Sequence, residues 1–162
     1  MLIELADISD AQEILDLQKL AYQSEAALYH DYTIPPLTQS LEQMQEDLRK
    51  QVVFKATLDG KIIGSVRGYL RDGTCYIGRL IVHPEFQNRG IGTSLMKTIE
   101  QHFAQAQRYE LFTGDRSERN LHLYHKLGYR VFRQEKLTDR TTIVFLEKMG
   151  QATESRKYTP GD

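Results

Sequence analysis

Two glycines one residue apart, Gly90 and Gly92, stand in the run Leu80-Ile81-Val82-His83-Pro84-Glu85-Phe86-Gln87-Asn88-Arg89-Gly90-Ile91-Gly92-Thr93-Ser94-Leu95. Glycine lets backbone amides approach a ligand with no Cβ in the way. A helix opening at this pair adds unpaired N–H groups and the positive end of its dipole. Together these make an anion site suited to phosphate. Arg89 would add a positive charge, and Thr93 or Ser94 a hydroxyl. The run is not a Walker loop, since no Gly-Lys-Ser or Gly-Lys-Thr occurs in it, and it lacks the third glycine of the dinucleotide fingerprint. A bare Gly-x-Gly also serves simply to turn a strand tightly into a helix.

The elements that must hold this run follow from its surroundings. A short strand at 2–5 precedes the capping side chains Asp7, Ser9 and Asp10, and Ala11, Ile14, Leu17 and Ala21 then fall at helical spacing. Pro35 and Pro36 rule out continuous helix over 29–36, and Thr38 or Ser40 starts a second helix through Leu41, Met44 and Leu48. Strands at 51–58 and 61–70 flank the hairpin turn Asp59-Gly60, and Arg71-Asp72-Gly73 leads into a third strand at 74–82 that Pro84 stops. The period then changes to 3.6. Ile91, Leu95, Ile99, Phe103 and Ala106 predict a helix over 90–107. A strand at 109–113, a helix at 117–127 ending at Gly128, and strands at 129–137 and 142–148 close the chain. The order βααβββαβαββ predicts an α/β domain with a mixed sheet, helices on both faces and a parallel strand pair around 80–113.

Two motifs narrow the class. Gln87-Asn88-Arg89-Gly90-Ile91-Gly92 fits Gln/Arg-x-x-Gly-x-Gly/Ala, and Val82-His83-Pro84 fits the Val-x-Pro before it. Downstream, Asn120-Leu121-His122-Leu123-Tyr124-His125-Lys126-Leu127-Gly128-Tyr129 fits an Asn, aliphatic residues, Tyr and then Leu-Gly-Phe/Tyr. In both motifs, and in strand and helix order over 1–149, the sequence resembles the GNAT superfamily of acetyl-CoA-dependent N-acetyltransferases.

The resemblance implies a GNAT-like fold, with a mostly antiparallel central sheet and a V-shaped split between parallel strands at 74–82 and 109–113. It implies acetyl-CoA as acyl donor, its pantetheine arm along the backbone of Leu80, Ile81 and Val82. The pyrophosphate would rest on Gln87, Asn88, Arg89, Gly90, Ile91, Gly92 and Thr93, and Asn120 would bond the arm. A bulge would aim an amide near Leu80 or Ile81 at the thioester oxygen. Tyr124 would protonate the leaving thiolate. A phenol at about 10 lies near enough a thiol at about 8.5 to donate as charge develops. Without the resemblance, Tyr124 reads as a core aromatic beside Leu121 and Leu127. The implied reaction is direct acetyl transfer to a primary amine of a small molecule or a protein in a ternary complex.

Other residues bear on the acceptor and its proton. Glu25, Asp31, Asp72, Asp115 and His83 are candidate bases, and each also reads as a solvated side chain or a cap. Glu25, Tyr29 and Tyr32 fall where the family's first helix-helix loop shapes the acceptor site, and Glu25 and Asp31 would attract a cation. The same segment reads equally as a helix end with a surface loop. Arg67, Tyr69 and Arg79 have strand-alternate spacing, and two arginines in the cleft would instead suit an acceptor carrying a carboxylate. His122 and His125 lack an acidic or cysteine partner at metal-site spacing, so no metal is expected. Cys75 lacks a Cys-His-Asn pattern and reads as a strand-filling thiol. Rival readings are a non-catalytic acyl-CoA-binding regulatory module and an unrelated phosphate-binding α/β protein.

Composition bounds the rest. The chain has 162 residues, enough for one domain without staples, and a net charge of -1, which argues against a general nucleic-acid binder. It has no apolar run of the roughly 20 residues that span a bilayer, and the acidic start Met1-Leu2-Ile3-Glu4 is unlike a signal peptide. The single cysteine fits the cytoplasm. Residues 1–149 are expected to form the domain and 150–162 a polar tail. Exposed strand edges toward the C-terminal end would allow a homodimer.

Overall fold

The computed structural model describes residues 1–151, so 152–162 of the expected tail lie outside it. Among the described residues seven strands are formed: β1 (Leu2–Leu5), β2 (Val52–Leu58), β3 (Lys61–Arg71), β4 (Thr74–Val82), β5 (Arg108–Gly114), β6 (Arg130–Lys136) and β7 (Thr142–Met149). The helices are α1 (Ala11–Ala21), α2 (Gln23–Tyr29), α3 (Pro35–Thr38), α4 (Leu41–Lys50), α5 (Ile91–His102) and α6 (Glu118–Lys126). The strands form one sheet in the order β1-β2-β3-β4-β5-β7-β6. Every neighbouring pair is antiparallel except β4 with β5. No helix among the described residues is long and apolar enough to cross a membrane.

Successive strand residues point to opposite faces, and this sorts the apolar side chains into two cores. Val53 and Ile62 pack with Ala11, Ile14, Leu15 and Leu17 of α1 and Met44 of α4. Their neighbours Phe54 and Ile63 pack on the other face with Ile91, Leu95, Met96 and Ile99 of α5. Leu95 is wholly buried there, with its Cδ1 3.0 Å from where a Cβ on Gly64 would stand. Leu95→Ala is therefore expected to cost about 2–5 kcal/mol, read as a lower urea midpoint at unchanged slope. An unchanged midpoint would show that this packing is not what holds α5 to the sheet.

Three elements depart from the sequence reading. The chain breaks at Tyr22 and continues as α2, which ends at His30 with φ of +50°. Pro35 and Pro36 open the single-turn α3, because a first helical turn needs no amide from them. Ser40 then caps α4 through a reciprocal bond pair with Gln43. Helix α5 stops at His102, not 107, although the apolar stripe continues through Phe103 and Ala106. The Tyr109 hydroxyl donates to the carbonyls of Glu100 and Phe103 at 3.2 and 2.8 Å, and the Gln107 amide donates to Gly73 at 2.8 Å. Tertiary bonds thus take the groups that another helical turn would need. At the far end, the buried Gly150 donates its amide to Gln107 at 2.8 Å.

The central feature is a split. Strands β4 and β5 pair only at Thr74↔Arg108, Cys75↔Tyr109 and Tyr76↔Glu110. Beyond that, β5 remains paired with β7 along its whole length, and β4 with β3 up to Val82. Near the point of divergence β4 bulges. Ser65 faces Ile81 and Arg67 faces Gly78, so Arg79 and Leu80 together lie opposite Val66, and Arg79 takes a φ of +50°.

Candidate active site

A cleft of about 860 Å³ runs along the open side of β4, between the start of α5 and α6. Leu80, Ile81, Val82, Gln87, Asn88, Gly90, Ile91, Gly92, Thr93 and Asn120 all line it. The turn into α5 is built by left-handed backbone at Asn88 (φ +63°) and Gly90 (φ +81°). A Cβ on Gly90 would meet nothing within 4 Å, so glycine is required there for its φ and not for room. Arg89 stands apart from the lining, with its guanidinium 5.1 Å from the centre of the Phe86 ring. The cations on the cleft wall are instead Arg119 and Lys126 of α6, which the sequence reading passed over. Arg119 donates to the Gln87 side-chain oxygen, tying α6 to the turn before α5. Its place next to Asn120, in the second motif, was the available signal. An amide-rich helix start, two cations and an apolar strand edge fit an elongated phosphate-bearing cofactor such as CoA.

Behind the split lies a second cavity of about 470 Å³. Glu25, Tyr29, Arg67, Tyr69, Arg79 and Tyr124 line it. Tyr32 does not: it is 56% exposed on the loop after α2. Tyr22, Glu25, Leu80 and Asn120 line both cavities, so the two spaces meet at these four residues. Asn120 is fixed there by donating to the Thr113 hydroxyl at 3.2 Å, from α6 across to β5. Tyr22 was missed in the sequence, where the break between α1 and α2 left no periodic signal.

Tyr124 is buried, with its ring 6.0 Å from that of Tyr129. Its hydroxyl makes no hydrogen bond among the described residues. Burial pushes its pKa far above the ordinary phenol value, with smaller contributions from Tyr22 and Glu25. Tyr29 has a different job. Its hydroxyl donates to Asp115 at 2.9 Å and accepts from the Arg116 amide at 2.6 Å, pinning α2 to the loop after β5. Burial raises its pKa to about 12.

The candidate bases separate by position. Asp31 accepts from the Thr33 amide at 3.0 Å and from the hydroxyls of Thr33 at 2.6 Å, Thr141 at 2.9 Å and Thr138. The Thr138, Thr33 and Thr141 bonds hold its carboxyl well below the usual carboxylate range. Asp115 is engaged by Tyr29, Asp72 sits in the turn between β3 and β4, and His83 accepts from the Glu85 amide at 3.1 Å. Glu25 is the candidate base that lines both cavities. Burial raises its pKa, partly offset by the Ser117 hydroxyl that donates to it at 2.5 Å and by Arg119.

The histidines and the cysteine lie aside from this chemistry. His122 faces the larger cleft, and the His125 ring stands 3.2 Å from the Tyr129 carbonyl. Among the described residues no three His, Cys, Asp or Glu side chains cluster to hold a metal. Cys75 is buried beneath α5, outside both cavity linings, and burial pushes its thiol up to about 12.

The fold is shared with solved N-acetyltransferases. PaiA N-acetyltransferase from Thermoplasma acidophilum, solved in complex with coenzyme A, superposes with a TM-score of 0.74 at 18% identity, over 92% of this chain and 99% of that one. The chain belongs to the acetyltransferase (GNAT) family, whose sequence pattern matches residues 11–129. It is similar to UPF0157 protein YqkA of Bacillus subtilis, 28% identical over 120 residues that make 74% of this chain and 34% of that protein. It is also similar to the uncharacterized N-acetyltransferase MJ1530 of Methanocaldococcus jannaschii, 29% identical over 80 residues, 48% of this chain and 51% of that one. The matched stretch thus spans a third to a half of these curated relatives.

Proposed function

We propose that the protein transfers an acetyl group from acetyl-CoA to a primary amine by direct attack in a ternary complex. The observation that carries this reading is the meeting of two cavities at Tyr22, Glu25, Leu80 and Asn120. One cavity suits a phosphate-bearing donor and the other a small acceptor. When bound, acetyl-CoA supplies an activated thioester. The backbone of Leu80, Ile81 and Val82 borders its arm, the amides from Gln87 to Thr93 receive its pyrophosphate, and Asn120 orients it. Leu80 lies in the β4 bulge, out of regular register, and its amide is the donor assigned to the thioester oxygen. Glu25 takes the proton of the attacking amine, and the Tyr124 hydroxyl gives one to the departing sulfur. The Arg89 side chain and Tyr32 have no part in this arrangement. The buried, unpaired Cys75 supports a cytoplasmic setting.

The test is release of CoA from acetyl-CoA across a panel of primary amines. Amine-dependent release supports the reading. Saturable CoA binding with no release would mark a non-catalytic binding module. Thermal stabilisation by ATP or NAD but not CoA would mark a different phosphate-binding protein. Arg119→Ala is expected to raise the Kd for CoA roughly tenfold, since one charge-assisted contact is lost. Isothermal titration measures it, and an unchanged Kd would remove Arg119 from the cofactor site.

A further inference from the structure

The acceptor cavity has apolar walls around one cation that makes no ion pair of its own among the described residues. Tyr69 and Tyr76 stack on one side with ring centres 5.3 Å apart, and Phe112 and Phe145 lie on another at 5.5 Å. The charged groups inside are Glu25, Arg67, Arg79 and Glu110. Glu110 is paired with Arg108 at 3.0 Å, and Arg67 with Asp47 at 2.8 Å. Arg79 has no carboxylate within ion-pair distance among the described residues. Among the described residues its guanidinium makes one hydrogen bond, to Gln39 Oε1 at 3.3 Å, an oxygen that already accepts from Gln18 at 2.9 Å. A guanidinium carries five N–H donors, so most of Arg79's capacity is unused.

This arrangement is costly. Asp47, the carboxylate whose field favours the Arg79 charge, is already paired with Arg67, and desolvating a cation with so little counter-charge opposes folding. The positive φ of Arg79 adds strain, since the left-handed region disfavours residues with a Cβ. Both costs fall on a residue next to Leu80, where the cavities meet. Burial lowers the Arg79 pKa, yet it remains a cation at neutral pH. An anionic group entering this cavity would complete its pairing.

We propose that the acceptor is a small amine carrying a free carboxylate on an apolar body, an amino-acid-like molecule whose carboxylate binds Arg79. This rests on the acetyltransferase reading of the second cavity. The aromatic walls hold the apolar body, Arg79 the carboxylate, and Glu25 the amine. A cavity of about 470 Å³ admits such a molecule whole.

Binding tests this apart from turnover. N-acetylleucine and N-acetylphenylalanine, with their carboxamides, are titrated calorimetrically into the protein saturated with CoA. The acids are expected to bind at least about tenfold more tightly than the amides, from one charge-assisted pair. In Arg79→Asn the preference should shrink to within about twofold, since asparagine tolerates the positive φ but carries no charge. Amides binding as tightly as acids, or no acid binding at all, overturns the proposal. The wild-type comparison stands whether or not the variant folds, which its melting curve reports. CoA release with the free amino acids and their amides is read in parallel. Acid-selective binding without any release would keep the carboxylate site and overturn the transfer. Equal release from acids and amides would keep the transfer and overturn the carboxylate site.

Discussion

Tyr124→Phe is expected to lower kcat by roughly 10²–10⁴-fold while the Kd for CoA stays unchanged. The substitution removes a single hydroxyl. That hydroxyl makes no hydrogen bond among the described residues, so its loss leaves no partner unsatisfied. The ring contact with Tyr129 survives. Tyr124 lines the smaller cavity but not the larger cleft, which is why CoA affinity should not move. Burial raises its pKa, which by itself makes the phenol a weaker acid. The same desolvation penalises a thiolate formed beside it, so the gap the proton must cross widens less than the phenol's own shift. The raised pKa also keeps the proton on Tyr124 throughout the neutral range. Steady-state rates with isothermal titration of CoA give the two readouts. An unchanged kcat would return Tyr124 to the role of a core aromatic.

The sheet was legible because its strands announce themselves twice. Val53-Phe54 and Ile62-Ile63 put apolar groups on both faces, and Asp59-Gly60 supplies the turn between them. What escaped was decided by long-range bonds. The stripe through Phe103 and Ala106 was real, but bonds from the Tyr109 hydroxyl and to the Gly73 carbonyl end the helix, and a hydrophobic period does not report them. Helix α2 escaped for a similar reason. Its seven residues bury only Ala26 and Tyr29, too few for a period, and it is held by the Tyr29–Asp115 bond across 86 positions.

The site divides along the same line. Gln87, Asn88, Gly90, Ile91, Gly92 and Asn120, which the two motifs single out in the sequence, line the larger cleft. The β4 bulge was expected from the resemblance, yet nothing in Gly78-Arg79-Leu80 placed the left-handed turn at Arg79. Arg119 escaped because a cation on a helix face reads as solvated until its neighbour across the cleft is known. The conflict between Glu25 and the two arginines resolves spatially. Asp47, absent from the sequence argument, neutralises Arg67, and Glu25 lies where the cavities join.

Glu25→Gln is expected to lower kcat/KM at pH 7 by roughly 100-fold, and the deficit should shrink as pH rises. A protonated amine cannot attack, so at neutral pH something must remove its proton. At higher pH solvent does so, and a missing base matters less. A glutamine keeps an oxygen that can accept the Ser117 hydroxyl, so a purely structural role would give a deficit independent of pH. In the wild type, activity should fall as pH drops through the Glu25 pKa, which burial places above the ordinary glutamate value. The stability effect has the opposite sign. A raised pKa means the native state holds this proton more tightly than the unfolded state does. Stability is therefore lost as pH rises from the unfolded to the folded value, and the ionised carboxylate costs stability above both. Removing that charge should leave Tm at pH 7 equal or higher while the rate collapses. A pH–rate profile and a melting curve on the same variant read both. A pH-independent deficit with a lowered Tm would make Glu25 a strut for Ser117, and no base.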